Sequence, residues 1–293
     1  MRLLQFYAPD SSLRVGLLAE ASTIVDITLP EQGLDDLNSY CRQALAAGKD
    51  LPAFVNNVTG GRTLPRWNLA QVRLTVPFFP DEVWGCGVTY MKSMEFRAKE
   101  LAEPQNIYER VYTAARPEIF FKATAARCVG PGEPIGKRAD SRFTAPEPEL
   151  AVLVGPEGQV LGYTLANDVS AWDIERENAL YLPQSKIYAR CCALGPYLVT
   201  PEEVPDPYGI VIACRIWRKE SMIFSGETST GNLKRKIPEL IAAVRRANIL
   251  PPLTAILTGT GIIVPEEAAL AAGDVVEISG SGLGTLQNMV EEV

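Results

Sequence analysis

The 293-residue sequence contains no histidine. That absence excludes Ser-His-Asp and Cys-His nucleophile machinery and every imidazole-ligated metal site. Any proton transfer must then run through Glu, Asp, Lys, Tyr, Cys, a metal-bound water or the substrate itself. Cysteine is sparse and unpatterned. Cys41, Cys86, Cys128, Cys191, Cys192 and Cys214 include no Cys-x-x-Cys, and the adjacent Cys191 and Cys192 suit a disulfide poorly. They read as small buried hydrophobes in a reducing cytoplasm. No apolar run reaches the roughly 20 residues of a membrane span, and Asp10 and Arg14 interrupt any signal-peptide pattern. The glycine-rich segments match neither a phosphate loop nor a dinucleotide fingerprint, so no nucleotide is expected. A basic excess is also missing. The net charge of −7 argues against nucleic-acid or anionic-membrane partners.

What is present concentrates between Arg116 and Lys186. Glu147 and Glu149 are two apart, a spacing that places both side chains on one face of a strand. The run Leu150-Ala151-Val152-Leu153-Val154 that follows shows no alternation and reads as a strand buried on both faces. Two carboxylates beside such a strand repel unless a cation or proton lies between them. A third, Asp168, follows the strand-like run from Gln159 to Leu165. Three convergent carboxylates without thiolate or imidazole suit a hard, oxygen-preferring ion such as Mg2+ or Mn2+.

The organisation is α+β but mostly β. Residues 1–75 read as a small N-terminal α/β unit, with short strands near Leu4-Gln5-Phe6, Leu13 to Leu17 and Ile24 to Ile27. Leu34, Leu37, Cys41 and Leu45 then mark an amphipathic helix that stops near Gly48. Residues 76–293 read as the second unit, rich in short strands and containing a helix marked by Leu233, Ile237, Leu240, Ile241 and Val244. Gly85 and Gly87 in the strand Glu82 to Val88 are expected to admit a close neighbour. Tyr90 to Tyr112 is charged and helix-prone, and is expected to act as a movable lid. Gly259 and Gly261 bracket Thr260, whose hydroxyl and neighbouring backbone N–H groups can form an anion nest.

Taken together, these motifs resemble the fumarylacetoacetate hydrolase superfamily over about residues 76 to 290. The resemblance rests on Glu147-Pro148-Glu149, Gly162-Tyr163-Thr164 leading to Asn167-Asp168-Val169-Ser170, Lys186, Gly195-Pro196, Thr258-Gly259-Thr260 and Gly273-Asp274-Val275-Val276. Arg116 to Thr124, Pro146 to Val152 and Leu180 to Tyr188 are similar to its 2-keto-3-deoxy-D-arabinonate dehydratase branch. The resemblance implies a rolled, mixed β-sheet catalytic domain and a divalent metal, usually Mg2+, held by Glu147, Glu149 and Asp168, with Mn2+ or Ca2+ as substitutes in vitro. It also implies a homodimer or homotetramer acting on a small 2-keto acid. The reaction it implies is dehydration of a 2-keto-3-deoxy sugar acid to 2,5-dioxopentanoate. Glu118 and Lys186 are then the catalytic acid/base pair, with Thr260, Ser93 and Tyr90 as substrate-binding residues.

Two departures bear on that reading. The hydrolases place a His near the position of Ser93, where it activates water, and they favour Arg where this chain has Trp172 before Asp173. The first weakens a C–C hydrolase reading; the second leaves the substrate contacts open. An acylpyruvate hydrolase or oxaloacetate decarboxylase on the same metal platform is the competing enzymatic reading. A catalytically inactive binding protein with the same fold is the competing reading from another class.

Overall fold

The computed structural model describes residues 1–91 and 107–293. Three layers build the molecule, and the middle one is a large mixed sheet. Its N-terminal part contains β1 (Arg2–Tyr7), β2 (Leu13–Glu20), β3 (Thr23–Asp26), β4 (Arg66–Asn68) and β5 (Arg73–Leu74). It continues with β6 (Glu82–Gly87), β7 (Glu118–Ala123) and β8 (Cys128–Val129). The outer sheet opens with β9 (Ile135–Lys137), and β10 (Thr144–Ala145) belongs to a small two-stranded ladder. The central strands are β11 (Pro148–Val154) and β12 (Val160–Asp168); β13 (Ser170–Ala171) pairs with β10, and β14 (Cys192–Val199) returns to the large sheet. The last five are β15 (Val211–Arg218), β16 (Ser221–Ser229), β17 (Thr254–Leu257), β18 (Val275–Gly280) and β19 (Gly284–Glu292).

In the large sheet the strand order is β4-β3-β2-β1-β14-β12-β11-β17-β6-β7. The N-terminal strands therefore extend the same sheet as the candidate site, through the antiparallel pair of β1 with β14. The five-stranded sheet runs β16-β15-β18-β19-β9.

The residue types of β11 explain the layering. All seven of its residues are buried. Leu150, Val152 and Val154 pack into one core with Ile212, Cys214, Val276 and Ile278 of the five-stranded sheet. Ala151 and Leu153 face the opposite core, with Leu37, Tyr40, Cys41 and Phe54. Those four come from two helices, Leu37–Ala46 and Leu51–Thr59. The side chain of Asp36 caps the first by accepting from the Ser39 N–H, and Asp50 caps the second by accepting from the Ala53 N–H. The first matches the expected helix; the second sits where no periodicity was read. Strand β19 shows the simple alternation of a one-sided sheet, with Leu286, Asn288 and Val290 inward.

The expected C-terminal helix spans Ile237–Arg245 and buries Ile237, Leu240, Ile241 and Val244, with Leu233 lying before it. Of the expected lid, a helix from Ile107 to Thr113 is described, and residues 92–106 lie outside the described residues. None of the six cysteines is in a disulfide. Among the described residues, no helix is long and apolar enough to cross a membrane.

Candidate metal centre and active site

The order of the large sheet brings distant residues to one end of it. Strand β11 runs antiparallel to both neighbours, β12 and β17, and β17 runs parallel to β6. The start of β11 therefore lies beside the ends of β12, β17 and β6. Glu147 and Glu149 stand at the start of β11, and Asp168 closes β12. Thr258-Gly259-Thr260 follows β17, Gly87 ends β6, and Glu118 opens β7 on the far side of β6. The short helix Leu182–Lys186 adds Lys186, and the Ser185 hydroxyl holds this helix by donating to the Ala171 carbonyl at 2.8 Å. One small cleft is lined by Glu118, Glu147, Glu149, Asp168, Lys186 and Thr260, together with Phe120 and Leu182.

One oxygen from each of Glu147, Glu149 and Asp168 lies within 4.8 Å of the other two, and all three residues are buried. Burial pushes the Glu149 carboxyl well above the usual range, and the charges of Asp168 and Glu147 push it further in the same direction. Lys186 and the Gly259 N–H oppose this. Lys186 Nζ donates to Glu147 Oε1 at 2.9 Å, to Asp168 Oδ2 at 3.0 Å and to Ser170 Oγ at 2.7 Å. A buried trio of carboxylates answered mainly by lysine remains short of positive charge. Its donors are all oxygen, so the residues present fit a Mg2+ or Mn2+ ion.

Three groups behind the carboxylates hold them in place, and two of these, Lys122 and Trp172, have no role in the sequence reading. Lys122, inside β7, is fully buried. Its Nζ lies 2.5 Å from Asp168 Oδ1 and donates to the carbonyls of Val169 at 2.9 Å and Lys186 at 2.6 Å. Burial alone would lower its proton affinity, but the Asp168 charge and hydrogen bond, together with the nearby Cys191 and Cys192, outweigh burial and push that affinity above the ordinary lysine value. A lysine in an otherwise aromatic and apolar strand was the available signal. Trp172 donates its indole N–H to Glu147 Oε1 at 2.6 Å. Gly259 donates its backbone N–H to Glu149 Oε2. Of the N–H groups expected to form an anion nest, that of Gly259 thus serves the Glu149 carboxylate. The Thr260 hydroxyl accepts from the Ile262 N–H at 3.1 Å while Thr260 still lines the cavity.

Gly85 and Gly87 do admit close neighbours, and these are the protein's own side chains, the Phe120 ring and the Glu118 carboxyl. A Cβ at Gly87 would collide with the Glu118 carboxyl, and one at Gly259, whose φ is +93°, would collide with Thr89 Oγ1. Tyr90 is buried and bridges to Leu233 outside the residues that line the cavity. Its phenol is pushed up by burial and by the Glu149 charge. Ser93 lies outside the described residues.

The family description fumarylacetoacetate (FAA) hydrolase C-terminal matches residues 83–291. The chain belongs to the fumarylacetoacetate hydrolase family. A member of this family from Saccharolobus solfataricus, 2-dehydro-3-deoxy-D-arabinonate dehydratase, is 47% identical over 232 residues, covering 78% of each chain. A mitochondrial oxaloacetate tautomerase of Bos taurus is 32% identical over 321 residues, covering 99% of this chain and 91% of its own. Among solved structures, 2-keto-3-deoxy-D-arabinonate dehydratase complexed with magnesium and 2,5-dioxopentanoate superposes with a TM-score of 0.82 at 36% identity. That match covers 100% of this chain and 99% of the other. The mixed sheets described above are thus the fold of this family.

Proposed function

We propose that the chain is a Mg2+-dependent hydro-lyase that converts 2-keto-3-deoxy-D-arabinonate to 2,5-dioxopentanoate and water. The observation that carries this reading is the joining of three buried carboxylates, Glu118 and Lys186 around one cavity, in a chain with no histidine. The dehydratase relatives and the magnesium-containing structure support the same substrate class.

Glu147, Glu149 and Asp168 would hold the ion. When bound, it supplies Lewis acidity toward the carboxylate and carbonyl of a 2-keto acid and so acidifies C3. Glu118 and Lys186 move the protons. One takes a proton from C3, and the other gives a proton to the C4 hydroxyl as it leaves as water. The resulting 3-ene then loses a proton from C5 and gains one at C3, giving the C4–C5 enol, which loses its hydroxyl proton and gains one at C4 to become the aldehyde, so one molecule of water is lost in total. Thr260, on the wall of this cleft, is a candidate for holding the substrate carboxylate, and Tyr90 and Ser93 are further candidates for substrate contact. Phe120 and Leu182 exclude water from the same space.

A hydrolase needs an activated water and a protonated carbon leaving group. The elimination of water needs only a proton taken from C3 and one given to the C4 hydroxyl, and Glu118 and Lys186 are suitable chemical types for these. The enzyme works in the cytoplasm as a homodimer or homotetramer in this reading. The test is metal removal. Chelation should abolish dehydration, and Mg2+ or Mn2+ should restore it; full turnover after verified metal removal would overturn the reading.

A further inference from the structure

Cys128 and Cys192 stand opposite one another in the parallel ladder of β8 with β14. Registered partners on neighbouring strands point to the same face and lie about 4.8 Å apart at Cα. That separation falls inside the span of about 4.4–6.8 Å that a disulfide bridges. Both side chains pack into the core that holds Leu37 and Phe54. The two thiols also interact, since the Cys192 thiol is pushed well above its usual range first by a hydrogen bond with Cys128 and then by burial. Access to them differs. Cys192 is fully buried, whereas Cys128 is the one cysteine of the six that is partly exposed. The Cys128 thiol also donates to the Thr124 carbonyl at 3.5 Å.

The row continues into the site. On the other side of β14, Cys192 is in register with Asp168 of β12, so three side chains, Cys128, Cys192 and Asp168, lie in line on one face of the sheet. Lys122, whose ammonium lies 2.5 Å from Asp168, is within electrostatic reach of Cys191 and Cys192. The Cys191 thiol donates to the Lys122 carbonyl at 3.8 Å. Strand β8 is only two residues long and, among the described strands, pairs with β14 alone. It is therefore the element free to shift toward β14.

We propose that Cys128 and Cys192 are a peroxide-sensitive dithiol, and that closing it to a disulfide slows the enzyme reversibly. Hydrogen peroxide oxidises the accessible Cys128 thiol to the sulfenic acid and leaves as one water. The Cys192 sulfur then attacks the Cys128 sulfur, the S–S bond forms, and the sulfenic hydroxyl departs with the Cys192 proton as a second water. The two thiols together lose two electrons and two protons, and one peroxide becomes two waters. A dithiol reductant reverses the step by exchange. Closure brings the sulfurs to about 2.05 Å and the Cβ atoms to about 3.8 Å, which draws Cys192 toward β8 and away from its packing beside Asp168 and Lys122. A pair of this kind suits a reducing compartment, where disulfides are transient and redox-sensing. The pairing is independent of the function proposed above; only its effect on rate rests on that reading.

The test treats the reduced full chain with a small excess of hydrogen peroxide, caps the remaining thiols, and maps the peptides by mass spectrometry without reduction. A Cys128–Cys192 cross-link is expected. Turnover of 2-keto-3-deoxy-D-arabinonate with Mg2+ should fall at least about 10-fold, since a shift of about 1 Å near reacting groups costs up to about 100-fold. Dithiothreitol should restore it. Cys128→Ser should begin within about 2-fold of the unaltered rate and keep that rate through the same treatment. Cys192→Ala, read by mass alone, should stop at an oxidised Cys128 without the cross-link, and it tests the pairing if Cys128→Ser loses the fold. Absence of the cross-link, a bridge between Cys191 and Cys192 in its place, a cross-link that leaves the rate unchanged, or equal inactivation of Cys128→Ser would each overturn the proposal. A reduced chain that forms the cross-link but dehydrates nothing would instead overturn the proposed function and leave the pairing established.

Discussion

Gly87 and Glu118 face one another across the β6–β7 ladder, and the space that a Cβ on Gly87 would fill is taken by the Glu118 carboxyl. The glycine is what allows an acid to lie flat against β6 and line the metal-side cavity. Gly87→Ala should displace that carboxyl. Misplacing a reacting group by about 1 Å costs on the order of 100-fold in rate, so kcat should fall by about that factor while Mg2+ affinity stays within about 2-fold. Steady-state kinetics and calorimetry on the same preparation check both halves.

The acid/base assignment makes a parallel prediction. Glu118→Gln and Lys186→Met should each lower kcat by at least about 100-fold, the scale of a positioned proton-transfer group. Equilibrium dialysis should still find metal bound in both. Near-normal dehydration by the two variants would remove these residues from the mechanism.

Lys122 offers a test of stability. It is a buried cation beside Asp168, as Lys186 is, and its ammonium also satisfies the carbonyls of Val169 and Lys186. Removing one partner of a buried ion pair costs about 3–5 kcal/mol. Lys122→Met should therefore lower unfolding stability by about that amount in denaturant titrations of the metal-free protein. A loss below about 1 kcal/mol would show that the pair contributes little.

The Glu149 carboxyl sets a pH dependence. Its proton affinity is raised in the folded state by burial and by Asp168 and Glu147. Between its unfolded and folded titration ranges the native state binds more protons than the unfolded state, so this group's contribution makes stability fall as pH rises through that window. Melting curves of the metal-free chain should show this decline relative to Glu149→Gln, which lacks the titration. Saturating Mg2+ should raise the melting temperature more at the alkaline end of the window. An identical pH profile in the two proteins would contradict the assigned electrostatics.

Much of the centre was legible in the sequence because strand parity is rigid. Glu147 and Glu149 share parity just ahead of an unbroken apolar run, and a buried strand does not carry two acids without a compensating charge. The donors behind them were harder to read. Lys122, Trp172 and Gly259 act on the three carboxylates across strand pairs and turns, and the contacts form only once β7, β12 and β17 are ordered in one sheet. The fate of Gly87 has a similar cause: the sequence shows the missing side chain, but the Glu118 carboxyl that fills the space comes from the facing strand. Helix Leu51–Thr59 went unread because Pro52, which sits in its first turn, breaks the pattern that marks longer helices.

The central claim is tested most directly by following 2-keto-3-deoxy-D-arabinonate with the Mg2+-loaded protein by proton NMR, beside an acylpyruvate and oxaloacetate. The account predicts an aldehyde signal from 2,5-dioxopentanoate, with little cleavage of the acylpyruvate and little decarboxylation of oxaloacetate. Efficient acylpyruvate cleavage with no dehydration would contradict it.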